Sequence, residues 1–292
     1  MEIGLVGVGT MGVLVASTLV EADHRLVAYD IDLRTLQRAQ DVGADAVDCP
    51  QGVAEQTEII LLLLPGPPQI ESVVTGDRGL LAGARSGQVI VDMSTVDPAT
   101  TVRMGARAKE VGVDYLDAPI LGRPSALGRW VLPVGGEADV LARCRPVLDL
   151  LARQVIHVGP LGTGHALKLL NALMFSAINA MTAEMMAISA KLGVPPKTLF
   201  DTVSESRAAT VSGLFKEVGA KIVARDFSPT FPVDLMCKDN GLAIAMAKGC
   251  DAPPILASTI QVLNELASAK GFGAEDTSAL VKLYETLWTK PG

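Results

Sequence analysis

A short apolar run at residues 2–7 passes directly into Gly7-Val8-Gly9-Thr10-Met11-Gly12, and a Val/Ala/Leu-rich stretch with helical spacing follows. G-x-G-x-x-G alone says little, because glycine is common; set between a strand and a helix it narrows the possible folds sharply. The first glycine permits the tight turn, the second lets a ligand approach the backbone, and the third lets the helix pack closely on the strand. The free N–H groups and positive dipole end of the helix then favour a pyrophosphate, with Thr10 and Met11 completing the cradle. Asp30 stands at the end of the second predicted strand, 18 residues beyond Gly12. A carboxylate there accepts hydrogen bonds from ribose hydroxyls and repels a 2′-phosphate, which favours NAD; Arg34 and Arg38 nearby keep NADP open. Capping of the next helix is the alternative role for Asp30, and Asp32 is equally placed for it.

Behind this turn, strand-like runs at 25–29, 59–64, 88–92, 114–118, 130–134 and 155–158 alternate with amphipathic stretches. That alternation predicts βαβ units and a parallel sheet, hence an α/β fold of Rossmann type. After Gly159-Pro160 the texture changes: 162–191 is one long Ala/Leu/Met-rich stretch ending at Gly193-Val194-Pro195-Pro196, and it predicts a long helix linking two domains. Further helices are predicted at 197–206, 212–224, 235–248, 253–269 and 275–288. The expected division is 1–160, an NAD(P)-binding domain, and 161–292, an all-helical domain for substrate and oligomerisation; 292 residues suit two domains.

The net charge of −7 and the lack of a long basic run argue against nucleic acid as a partner. The densest apolar run, 59–65, is too short to cross a bilayer, and no basic leader precedes the first strand, so a cytoplasmic protein without a membrane partner is expected. Cys49, Cys144, Cys237 and Cys250 are scattered, and so are His24, His157 and His165, which predicts reduced thiols and no metal site. Apolar residues make up 49% of the chain. That surplus, concentrated on the C-terminal helices, suits a homodimer or homotetramer.

Several further segments carry a resemblance. Leu63-Leu64-Pro65, Asp92-Met93-Ser94-Thr95-Val96-Asp97-Pro98, Asp117-Ala118-Pro119, Gly162-Thr163-Gly164 with Lys168 and Asn171, and Lys238-Asp239-Asn240-Gly241-Leu242-Ala243 follow the glycine turn in order. With that turn, the chain resembles the 3-hydroxyisobutyrate, or β-hydroxyacid, dehydrogenases of the 6-phosphogluconate dehydrogenase superfamily across nearly its whole length. The resemblance implies hydride transfer between a nicotinamide cofactor and a small β-hydroxyacid or its semialdehyde. Leu64, Pro65 and Thr95, at carboxyl ends of parallel strands, would line the ribose and nicotinamide, with Lys238 beside them. An ordinary strand exit is the competing reading for Leu64-Pro65, a helix N-cap for Ser94-Thr95, and a surface ion pair for Asp239. Lys168 would be the proton donor and acceptor, a task that needs its pKa lowered toward working pH by burial or a neighbouring cation. Asn171, three residues on and on the same helical face, would hold a substrate carboxylate or hydroxyl.

Two departures bear on the substrate. The family's Ser-Gly-Gly after Asp-Ala-Pro-Val is replaced by Leu121-Gly122-Arg123, and an expected Asn after Lys168 is Ala172. With the serine hydroxyl gone, Gly122 and Arg123 are the candidates for carboxylate binding; Arg123 reads either as a bidentate partner or as a solvated side chain. A reductase of imines or other carbonyls on the same scaffold and a non-catalytic dinucleotide-binding protein are the alternative functions. Lys168, which imine-active relatives generally lack, and Lys238 speak against both.

Overall fold

The computed structural model describes residues 1–205 and 213–288. The chain divides into two compact units, Met1–Lys168 and Leu169–Gly292.

The first unit is built on strands β1 (Glu2–Val6), β2 (Arg25–Tyr29), β3 (Asp45–Ala46), β4 (Ile59–Leu62), β5 (Val89–Asp92), β6 (Asp114–Asp117), β7 (Trp130–Gly135) and β8 (Ala152–Gly159). Its helices are α1 (Thr10–Glu21), α2 (Leu33–Asp41), α3 (Pro50–Ala54), α4 (Pro67–Thr75), α5 (Leu80–Gly83), α6 (Pro98–Glu110) and α7 (Ala138–Leu151), and α8 (Thr163–Lys191) begins in it. The strands form one sheet in the order β3-β2-β1-β4-β5-β6-β7-β8. Successive strand residues serve opposite faces. Ile3, Leu5, Ile59 and Leu61 join α1, α2 and α7 in one core layer, while Val6, Ile60 and Leu62 join α3, α4 and α6 in the other. A sheet covered on both faces needs strands that are apolar throughout, which is why Ile59–Leu62 shows no alternation.

Three features depart from the expected sheet. The two-residue β3 is too short to leave a pattern in sequence. Strand β6 pairs with β7 antiparallel, at Asp117 opposite Gly135, so the last two strands, parallel to each other, run against the first six. Strand β8 also begins three residues earlier than expected, because its exposed edge positions Arg153 and Gln154 hide its start. The order of the first six strands reverses direction between β1 and β4. Open α/β sheets bind ligands at the carboxyl ends of strands flanking such a reversal.

The second unit continues α8 and adds α9 (Pro196–Glu205), α10 (Gly213–Ala224), α11 (Val233–Gly249), α12 (Ile255–Ala267) and α13 (Leu280–Leu287). No strand occurs among its described residues; the ends of the predicted helices at Ser206 and Ser212 lie outside them. Its core gathers Ala183, Met186, Val218, Ile222, Val233, Ile260, Leu280 and Leu283. Pro232 precedes α11 and sets its start, while the segment predicted as 253–269 ends in a π-turn, Ser268–Phe272, with Gly271 at φ 92°. Among the described helices α8 alone is long and apolar enough to cross a membrane. Within the second unit, however, Asn179 donates to the Thr277 carbonyl and Ser189 to the Val194 carbonyl, as expected of a core helix.

Candidate active site

The glycine turn meets tight limits at two of its glycines and open space at the third. Gly7 has φ 94°, and a Cβ there would lie 2.3 Å from the Leu63 carbonyl oxygen. At Gly12 it would lie 2.1 Å from the Gly7 carbonyl oxygen, so helix and strand pack backbone to backbone. A Cβ on Gly9 would meet nothing within 4 Å. No protein contact therefore requires a glycine at position 9, and the space beside it is the cradle a pyrophosphate would fill. Gly9 precedes α1 and no side chain caps that helix, which leaves its first N–H groups, Thr10 and Met11 among them, available to an anion.

Asp30 is not the cap of α2: Asp32 is, accepting from the Arg34 N–H at 2.9 Å. The Asp30 carboxylate instead accepts from the Val8 N–H at 2.7 Å and the Asp32 N–H at 2.8 Å, tying the glycine turn to the end of β2. Each carboxylate oxygen keeps a further lone pair for a ribose hydroxyl. Gly7, Gly9, Asp30, Leu64 and Pro65 line one cavity of about 740 Å³. Arg78, ion-paired with Asp48 at 2.8 Å, stands on the same wall; nothing in the sequence marks that pair, whose members are 30 residues apart. Ser94, in the loop after β5 that also carries Thr95, accepts from the Leu64 N–H at 2.9 Å and so joins two strand-end loops.

The segment after β6 is held by β7. Leu121 and Val131 exchange both backbone hydrogen bonds, and the Trp130 indole donates to the Arg123 carbonyl at 2.9 Å. A Cβ on Gly122 would come within 2.4 Å of the Trp130 ring, so packing alone accounts for that glycine. Lys168, half-buried in the second turn of α8, donates through Nζ to the Ile120 carbonyl at 2.8 Å. Beneath it lies a polar cluster that the reading of sequence passed over. Asp117 is fully buried and accepts from the Gly162 and His165 N–H groups, both at 2.7 Å. Asp92 is also fully buried and accepts from the Ser94 N–H and the Tyr115 hydroxyl; burial raises its pKa above the usual carboxylate value, against the opposing pull of His165. The sequence signals for these groups are Asp92 and Asp117 in motif segments and His165 in the apolar run beside Lys168.

Asn171 and Lys238 belong to the second unit. Asn171 is exposed on α8, and Lys238, on α11, pairs with its neighbour Asp239 at 2.8 Å. The cysteines are free, and burial pushes the Cys144 thiol up to about 12. No cluster of metal-ligating side chains occurs among the described residues.

A strand-order reversal, a glycine turn with one open position and a carboxylate after β2 that holds that turn define a dinucleotide-binding oxidoreductase unit. Comparison with known proteins agrees. The family model for the NAD binding domain of 6-phosphogluconate dehydrogenase matches residues 2–159, and that for the NAD-binding region of NADP-dependent 3-hydroxyisobutyrate dehydrogenase matches 162–284. The chain is 33% identical to 2-(hydroxymethyl)glutarate dehydrogenase of Eubacterium barkeri, covering 98% of this chain and 96% of that one. It is 30% identical to 3-sulfolactaldehyde reductase of Escherichia coli, covering 96% and 94%. The solved 3-hydroxyisobutyrate dehydrogenase of Salmonella typhimurium superposes with a TM-score of 0.87 at 27% identity, covering 97% of this chain and 99% of that one. The chain belongs to the 3-hydroxyisobutyrate dehydrogenase, or β-hydroxyacid dehydrogenase, family. It is an NAD(P)-dependent oxidoreductase acting on CH–OH groups, and the comparisons support neither the imine reductase nor the non-catalytic alternative.

The second and third glycine sites separate binding from folding. Gly9→Ala should leave the free energy of unfolding in urea nearly unchanged, within about 0.5 kcal/mol as for a neutral surface substitution, yet weaken NADH binding measured by fluorescence titration. Gly12→Ala should lower both, and equal effects of the two substitutions would refute the assignment of an open cradle at Gly9.

Proposed function

We propose that residues 1–160 bind NAD in preference to NADP, and that the enzyme interconverts a small β-hydroxyacid and its semialdehyde with Lys168 moving the proton. The observation that carries this reading is the placement of the Lys168 amine against the Ile120 carbonyl, in the segment that follows β6, rather than in open solvent. When bound, the nicotinamide supplies or accepts the hydride. Gly7, Gly9, Thr10, Met11 and Gly12 hold the pyrophosphate, Asp30 the adenosine ribose, and Leu64, Pro65, Thr95 and Lys238 the remainder. In oxidation the neutral Lys168 amine takes the hydroxyl proton as the carbinol carbon loses its hydride; in reduction the ammonium returns a proton to the developing alkoxide. Arg123, the Gly122 backbone and Asn171 orient the substrate carboxylate, with a charged fork two residues beyond the position where the family has a serine hydroxyl.

Both relatives described above carry names of reactions at a hydroxyl or aldehyde of a small acid, which supports the substrate class. Leu121 and Ala172 are apolar where the family pattern has polar residues, so the side group of the acid is this chain's own. Asp30 supports NAD, since a 2′-phosphate would face its charge.

Residues 161–292 serve substrate binding and assembly into a homodimer or homotetramer. Leu170, Met174, Met181 and Met185 form an exposed apolar stripe along one face of α8, which a second copy of the chain would cover. Four free cysteines suit the reducing cytoplasm.

Lys168→Ala should depress kcat by about 10²-fold or more in an assay of hydroxyacids followed by NADH absorbance, with NADH affinity nearly intact; near-normal turnover would eliminate the role. The KM for NAD should lie below that for NADP, and a clear NADP preference would overturn the reading of Asp30. Sedimentation at micromolar concentration should show a dimer or tetramer, whereas a monomer would refute the assembly.

A further inference from the structure

His165 is buried completely, together with the groups around it, three residues before Lys168 on α8. An imidazole taken out of water is costly unless both ring nitrogens find partners, and here both do. Nε2 lies 3.1 Å from the Ser94 carbonyl oxygen and Nδ1 lies 2.7 Å from Thr101 Oγ1. A carbonyl only accepts, so Nε2 carries the proton; in the neutral ring Nδ1 then accepts from the Thr101 hydroxyl, which favours it over the more distant Asp97 carbonyl at 3.3 Å. The Asp117 carboxylate, 3.9 Å from Nδ1, takes the backbone N–H of the same histidine and that of Gly162. Asp92, held by Ser94 and Tyr115, is a second buried acid that interacts with the ring.

This pattern links two segments that the proposed reaction must keep in register. Ser94 lies in the strand-end loop with Thr95, and its own hydroxyl receives the Leu64 N–H; His165 opens the helix that carries Lys168. We infer that His165 is a positioning residue: as a neutral Nε2–H tautomer it clamps the Ser94–Thr95 loop to the first turn of α8 and thereby sets where the Lys168 amine sits relative to the nicotinamide side of the cofactor. The inference rests on the proposed role of Lys168. The ring moves no proton itself. Its task is geometric, and a displacement of about 1 Å in a proton-transferring group is enough to cost about 10²-fold in rate.

The test uses the full-length enzyme loaded with NADH. ¹⁵N-histidine NMR should show one ring as a neutral Nε2–H tautomer, assigned by its loss in His165→Gln, and Thr101→Val should shift its Nδ1 resonance. A ring protonated on Nδ1 would overturn the clamp. His165→Leu should lower kcat per NADH-binding site by about 10²-fold with a smaller change in KM, while His165→Gln, whose amide both donates and accepts, should recover most of the loss. A merely structural histidine would lower Tm and the number of NADH-binding sites and leave turnover per site at the wild-type value, which would also overturn the inference. The double variant His165→Leu/Lys168→Ala should be no slower than Lys168→Ala alone, since both act on one group. Near-normal turnover by Lys168→Ala would remove the lysine's role and leave the tautomer standing. Wild-type turnover by His165→Leu beside a slow Lys168→Ala would remove the coupling and leave the lysine's role intact.

Discussion

A buried carboxylate meeting the start of a helix is the constraint on which the junction of β6 and α8 in the first unit depends. Asp117 closes β6, and its two oxygens bind the amides of Gly162 and His165 at the beginning of α8. A helix N-terminus presents unpaired N–H groups and partial positive charge, and a carboxylate deprived of water needs both. The contact also dictates glycines around it. A Cβ at Gly135 or Gly164 would run into Asp117 itself, so the sheet, the capping acid and the helix approach one another as bare backbone. Helix α8 therefore starts at a place fixed by the sheet rather than by its own packing, and Lys168 inherits that placement.

A second carboxylate plays the corresponding part at the cofactor end. Asp30 receives two backbone N–H groups, one from the glycine turn and one from the turn into α2. Together with the backbone contact between Gly12 and Gly7, it shapes the turn before any ligand arrives. Such preorganisation lowers the ordering cost that binding would otherwise carry. At both ends an acid residue at the tip of a parallel strand organises the backbone of the helix or loop beyond.

Much of this was legible in sequence because it rests on local pattern. The glycine spacing, the apolar strands and the long helix each announce themselves within a dozen or so residues, and Lys168 stands out as a charge inside an apolar run. What escaped depends on contacts between distant segments. Asp117 and His165 are 48 residues apart, and only the fold turns them into a cap and a clamp. The reversal of β7 and β8 rests on the pairing of Asp117 with Gly135 and of Leu121 with Val131, which no periodicity records. The motif position of Gly122 points to a ligand contact, and the indole of Trp130 adds a packing reason for the glycine that only the fold displays. Asp30 was read for its ribose, and its service to the Val8 amide was invisible until the turn had been placed beside β2.

That double service of Asp30 constrains how cofactor preference can drift. Exchanging the acid for a small neutral residue, the simplest way to admit an extra phosphate, would also strip acceptors from the Val8 and Asp32 amides and loosen the glycine turn itself. Compensation would have to come from elsewhere in the loop, so a lineage changing its coenzyme must alter several positions together.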